Sequence, residues 1–302
     1  MLLPWAGIAQ DIEPMPAEKM PLAAERLLLD IHSTGSRMIA VGTRGHVLYS
    51  DDGEQWSQAE VPVRAALTAV HGVGDLLWAV GHDAAIIHSA DAGASWQLQF
   101  FEPDLQQPLL DVYFMDADNG IAVGAYGMIV RTDDGGATWY DDLIHEEYDY
   151  HLNAIAPVEG QTLVIAAEAG NGFRSMDGGE TWDWFEYPYL GSMFGLLVLN
   201  NNQLLSFGLR GHIQSSNDLG DSWREPNSGI EDSLFGGMVA SDGSVILVGA
   251  NGAILTRNGG QWQQHRHQDD ADLSAIVEFD GKYFVVGERG IATWAQDGEG
   301  AE

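Results

Sequence analysis

The 302-residue chain contains no cysteine, and this excludes disulfides, thiolate metal ligands and cysteine nucleophiles. Basic residues are also scarce: 13 Lys and Arg stand against 45 Asp and Glu, a formal charge of −32. That excess repels phosphate backbones and anionic headgroups, which argues against nucleic acid or a lipid surface as the main partner. Two readings of the charge stay open: solubility in a salty medium, or an acidic face that steers a basic partner. No apolar run reaches the length of a membrane-spanning helix, so no direct membrane insertion is expected. The opening Met1-Leu2-Leu3-Pro4-Trp5 lacks the basic start and apolar middle of a secretory signal. The chain is then either cytoplasmic or a mature form whose signal has been removed.

What the sequence has in abundance is a repeat. A Val-Gly step or its variant recurs at Val41-Gly42, Val80-Gly81, Val123-Gly124, Ala166-Ala167, Phe207-Gly208, Val248-Gly249 and Val286-Gly287. A second glycine follows three residues later at Gly45, Gly127, Gly170, Gly211, Gly252 and Gly290, with Ala84 the exception. A second mark follows each step except the last: SDDGEQW, SADAGASW, TDDGGATW, SMDGGETW, SNDLGDSW and TRNGGQW. These end at Trp56, Trp96, Trp139, Trp182, Trp223 and Trp262, and the four central copies carry Asp91, Asp134, Asp177 and Asp218. The spacing of about forty residues is that of propeller blades.

Between the marks lie short runs of β-branched and aromatic residues bounded by turn residues, and no stretch sustains a helical period. In the third copy, strands are expected at 109–114, 120–123, 128–131 and from Trp139 onward. Four antiparallel strands per repeat, with no helix to cover an open sheet, favour radial closure. The fold expected is all-β: a single seven-bladed β-propeller of four-stranded antiparallel blades. The blades fall at about 22–60, 61–103, 104–146, 147–189, 190–227, 228–266 and 267–294, with 295–302 an acidic tail. The last copy has only three strands, so residues 1–12 are expected to close the ring as its outer strand, Trp5 standing in for a seventh tryptophan. Deleting 1–12 would then lower the melting temperature.

In the Asp-bearing turn the carboxylate can accept backbone N–H groups, the glycine supplies positive φ, and the tryptophan buries its ring between sheets. A motif repeated around a ring asks for a repeated cause, and folding supplies one. Calcium or sugar binding at these turns is the weaker alternative. The Ser-x-Asp-x-Gly-x-Thr-Trp pattern resembles the Asp-box, or bacterial neuraminidase repeat. With a preceding Leu-x-x-Ile/Val strand and a Val-Gly-x-x-Gly step, as in LLDVYFMDADNGIAVGAYGMIVRTDDGGATW at 109–139, it resembles the photosystem II stability/assembly factor family. The resemblance runs from about residue 20 to 294 and is degenerate at Ala167. It implies a non-enzymatic, cofactor-free scaffold that binds a protein partner. The non-photosynthetic bacterial members imply a periplasmic or otherwise exported accessory of a membrane-associated complex, such as a resistance-nodulation-division-type transporter.

Strand alternation puts first-to-second and third-to-fourth turns on one side of the ring, and second-to-third turns and blade connections on the other. The Asp-bearing turns occupy the first side. The second carries the variable loops, where a specific site is expected. Arg44, Arg210 and Arg289 share one turn position there, and closure would make Arg289 and Arg44 neighbours. They suit an acidic peptide or carboxylate, unless each pairs with a nearby acid. Tyr148, Tyr150, Trp184, Phe185, Tyr187 and Tyr189 form two aromatic connections that read either as interface anchors or as packing between blades. His265 and His267 with Asp269 and Asp270 read as a solvated loop rather than a metal site, and no metal ligand set is assigned. A sialidase-type hydrolase, or a carrier of a small ligand, is the alternative function. The three arginines superficially suit a sialidase triad, but they sit in loops, and no catalytic residue can be assigned.

Overall fold

The computed structural model describes residues 12–144, 148–199 and 203–296. Seven antiparallel sheets follow one another along the chain, each a meander in which sequential strands pair. They span 28–58, 67–100, 109–143, 152–186, 193–216, 234–266 and 273–294. The third blade has strands Leu109–Phe114, Gly120–Gly124, Met128–Thr132 and Tyr140–Leu143, close to those read from its sequence. The seven-bladed all-β ring is therefore the observed architecture.

The second strand of each blade is mostly apolar, because neighbouring sheets cover both of its faces; Ser206 in blade five and the exposed first residue Lys282 in blade seven are the departures. Met38–Gly42, Gly120–Gly124, Leu163–Ala167 and Val245–Gly249 are buried throughout. The last strands are more open to solvent, as at the polar Gln263–Arg266. Apolar residues gather in seven clusters, one between each pair of adjacent blades. The seventh joins Leu28, Ile31, Met38 and Leu48 of blade one to Ala275, Phe279, Phe284 and Val286 of blade seven. Packing between first and last blades thus closes the ring. The closing strand and Trp5, assigned to residues 1–12, lie outside the described residues except for Ile12. Trp294, which the repeat did not single out, packs beside Tyr283 in the cluster between blades six and seven.

Blade five departs from the four-stranded expectation. Its sheet has three strands, and a single bridge, Ser215 to Arg224, replaces the fourth. Pro226 lies two residues beyond, and without an N–H it cannot extend the ladder.

Two backbone features set the repeat. At Gly42, Gly81, Gly124, Gly208, Gly249 and Gly287 a Cβ would lie 2.0–2.5 Å from the carbonyl oxygen of the residue preceding the strand-one start, so these six blades need glycine there, and blade four alone carries an alanine, Ala167. Two residues on, in blades one to six, the turn takes left-handed φ twice in succession, as at Arg44 (60°) and Gly45 (68°). That is a tight hairpin turn of the primed type, matched to strand twist. Ala84, the exception to the second glycine, also adopts positive φ, at 50°.

Candidate binding faces

The hydrogen bonds fix the two sides of the ring. The Asp-bearing turns lie against the first-to-second turns of their own blades: Ala92 N–H donates to Asp75 O, Gly135 to Asp118 and Gly178 to Gln161. On the other side, Gly127 N–H donates to Tyr150 O and Gly170 N–H to Gly191 O, joining second-to-third turns to blade connections.

On the first side the motif does as expected. Asp134 accepts from Thr132 Oγ1 at 2.9 Å, Thr138 N–H at 2.8 Å and Thr138 Oγ1 at 2.6 Å. Asp91, Asp177 and Asp218 repeat that set, and Gly93, Gly136, Gly179 and Gly220 all have positive φ. Hydrogen bonding to the charged form holds these carboxyls below the usual range, with Asp177 and Asp218 at about 2. Each tryptophan packs into the cluster shared with the preceding blade: Trp56 against blade seven, then Trp96, Trp139, Trp182, Trp223 and Trp262 in turn. Trp96 is buried and the others are half-buried.

Three arginines staple this side. Arg37, Arg131 and Arg174 donate to Ala92 O, Gly179 O and Leu219 O, each in the Asp-bearing turn of the next blade. All three also pair with carboxylates: Arg37 with Asp51 at 2.6 Å, Arg131 with Asp142 at 3.2 Å and with Glu180, and Arg174 with Asp221 at 2.5 Å.

The second side differs. Arg44, Arg210 and Arg289 are exposed, and none forms an ion pair with a described carboxylate. Arg44 and Arg210 hold left-handed φ of 60° and 55°, a conformation that other blades fill with Asp83, Tyr126, Ala169 and Asn251. Blades seven and one stand side by side, yet the blade-seven residue lining Arg44's pocket is Glu288, not Arg289.

The aromatic candidates divide. Tyr187 is 2% exposed and sits in the core between blades four and five, against Trp223. Phe185 stacks on the same tryptophan. Both are therefore corrected from binding candidates to inter-blade packing, because strand alternation turns them toward the neighbouring sheet. Tyr189 stacks on His212 at 3.5 Å. Trp184 is 39% exposed, and its indole donates to Asn171 Oδ1 at 2.8 Å. Tyr148 bridges to it from the blade-three connection, its ring 5.6 Å from Trp184 and 5.4 Å from Tyr150. Exposed Tyr126 and Leu143 belong to blade three and exposed Leu190 to the connection between blades four and five, which gives this part of the ring several large apolar side chains open to solvent. His265 packs on Trp294 and approaches Thr256 Oγ1, while His267 is buried. Among the described residues no three His, Cys, Asp or Glu side chains are grouped to hold a metal ion.

The inner strands carry titratable groups that the repeat did not expose. Asp30 accepts Val70 N–H of blade two, and Asp111 accepts Ile155 N–H of blade four, each at 2.8 Å. Burial raises Asp30 to about 6; burial and the nearby Asp30 charge raise Asp111 to about 7. His32 and His71, with rings 5.9 Å apart, are pushed down by burial to about 4. A signal existed: Leu28-Leu29-Asp30 and Leu109-Leu110-Asp111 repeat an acid inside an apolar strand start.

Residues 98–225, from the end of blade two into blade five, match the family described as photosynthesis system II assembly factor YCF48. A solved structure described as YCF48 bound to D1 peptide superposes with a TM-score of 0.74 at 19% identity, covering 96% of this chain and 97% of that one. YCF48 from Cyanidioschyzon merolae gives 0.71 at 18% identity, over 90% and 96%. The WD40 β-propeller domain of Doa1 gives 0.74 at 14% identity, over 95% and 97%. No curated protein matches significantly. The likeness to the photosystem II stability/assembly factor-like propellers, read from the repeat, is thus borne out. At these identities the superpositions speak for the fold alone.

Proposed function

We propose that the chain is a non-enzymatic propeller scaffold that binds a protein partner through the second side of the ring, at blades three and four. The observation that carries this reading is the cluster of Tyr148, Tyr150 and Trp184, with exposed Tyr126 and Leu143 close by in the same blades. Rigid aromatics with polar edges lose little entropy on binding and recur as interface anchors. They break the repeat, whereas the Asp-bearing turns follow it. Support also comes from the D1 peptide bound by the structurally similar YCF48. The finer reading is an accessory or assembly factor of an envelope membrane complex, such as a resistance-nodulation-division-type transporter, working in the periplasm.

The test is recovery from native membranes with the wild-type chain and with a Trp184→Ala, Tyr148→Ala variant of unchanged fold. A partner held by the first and lost by the second supports the assignment. A partner held equally by both removes this face from consideration, and a partner that is not a membrane complex removes the finer reading.

A further inference from the structure

Between blades seven and one, on the second side, lies a pocket of about 490 Å³ lined by Met20, Glu25, Arg26, Leu27, Thr43, Arg44, His46 and Glu288. A smaller hollow of about 180 Å³ shares Met20, Arg44 and His46 with it and adds Glu18 and Arg64. The larger pocket has two cations, Arg26 and Arg44, and two anions, Glu25 and Glu288. None of these four forms an ion pair with another of them or with any other described residue. Opposite charges lining one small pocket would ordinarily pair; these are held apart. His46, common to both hollows, is 1% exposed, and neither ring nitrogen has a hydrogen-bond partner among the described residues. Burial, then the charges of Arg44 and Arg26, keep its pKa below the usual histidine value. A neutral imidazole of this kind offers one donor and one acceptor.

Arg44 holds the left-handed φ of the repeated turn, as Asp83, Tyr126, Ala169, Arg210 and Asn251 do in other blades, and from that turn its side chain reaches the pocket wall. The apolar walls are Met20 and Leu27.

We propose that this pocket binds a small zwitterion, a free α-amino acid with an apolar side chain: Arg26 and Arg44 take its carboxylate, Glu25 and Glu288 its ammonium group, and Met20 and Leu27 its side chain. The Arg fork suits a carboxylate, and acids that lie apart from the arginines suit an ammonium. The ligand's polar groups also reach the imidazole, once the flexible Arg44 or Met20 side chain moves aside. This pocket is separate from the aromatic cluster on blades three and four, so each stands or falls without the other.

The experiment is a calorimetric and NMR titration of the full chain with leucine and glycine, and with N-acetyl-leucine and leucinamide as blocked forms. We expect saturable binding of leucine, a shift of the His46 ring resonances, and binding weaker by at least about tenfold for each blocked form. Arg44→Asn, which keeps the turn conformation accessible, and Glu288→Gln should each abolish binding without lowering the melting temperature. Equal binding of N-acetyl-leucine would make this a carboxylate site, and equal binding of leucinamide an ammonium site; either overturns the proposal. So does the absence of saturation by leucine and glycine up to about 10 mM, or binding that survives both substitutions.

Discussion

The two sides of the ring use the same residue types to opposite ends. On one, arginines 37, 131 and 174 are tied to a carboxylate and to the next blade's turn, and every aspartate of the four full motifs is saturated with hydrogen bonds. On the other, Arg44, Arg210 and Arg289 have no acidic partner among the described residues, and Trp184 stands 39% exposed. Saturated polar groups have their partners inside the fold; unsaturated ones have capacity left for something outside it. The difference separates what the repeat needs for folding from what it leaves for recognition.

The largest expected contrast is between tryptophan and tyrosine. Trp96→Ala removes a buried ring from between blades one and two and should cost about 3–5 kcal/mol, whereas Tyr126→Ala, on the opposite side, should stay within about 0.5 kcal/mol. Denaturant unfolding of both variants measures this. If the two costs were alike, the division of duties between the faces would fail. Next come the arginines. Arg131→Ala breaks two ion pairs and a bond to the next blade and should cost about 1–3 kcal/mol, while Arg210→Ala should change stability by less than about 0.5 kcal/mol. A loss at Arg210 as large as at Arg131 would mean that the turn arginines are structural after all.

A smaller effect belongs to neither face but to the inner strands between them. Asp30 and Asp111 rise from 3.8 to about 6 and 7 on folding, so the native state binds more protons than the unfolded one above pH 3.8. Their contribution favours the fold at low pH and is lost as pH rises through about 6 and 7. His32 and His71 fall from 6.5 to about 4, so their contribution is present above 6.5 and lost as pH falls through about 4. The two pairs oppose each other over much of the same range. An Asp30→Asn, Asp111→Asn variant leaves the histidines alone, and its melting temperature should fall more steeply between pH 6.5 and 4 than that of the wild type. Parallel profiles would show that these carboxyls do not take up protons on folding.

The ring and its turns were legible in the sequence because they rest on local rules repeated many times. Gly42 and its counterparts answer a close backbone approach, and Asp134 answers a turn whose N–H groups need an acceptor; both recur at fixed spacing. Blade five escaped the pattern because Pro226 acts once. Tyr187 and Trp184 lie three residues apart on one strand and its extension, yet one is core and the other surface. Composition could not separate them, since the distinction depends on which side of the strand meets blade five. The pocket around His46 was hidden for a different reason: its walls come from residues 20–27, the second-to-third turn of blade one and the last blade, which only closure brings together.

The central claim is that partners meet the aromatic side and not the side of the Asp-bearing turns. A photo-reactive phenylalanine analogue placed at position 184, and separately at exposed Asp133 in the turn of blade three, tests it in native membranes. The account predicts a cross-linked partner from 184 and none from 133; an adduct from 133 with none from 184 would contradict it.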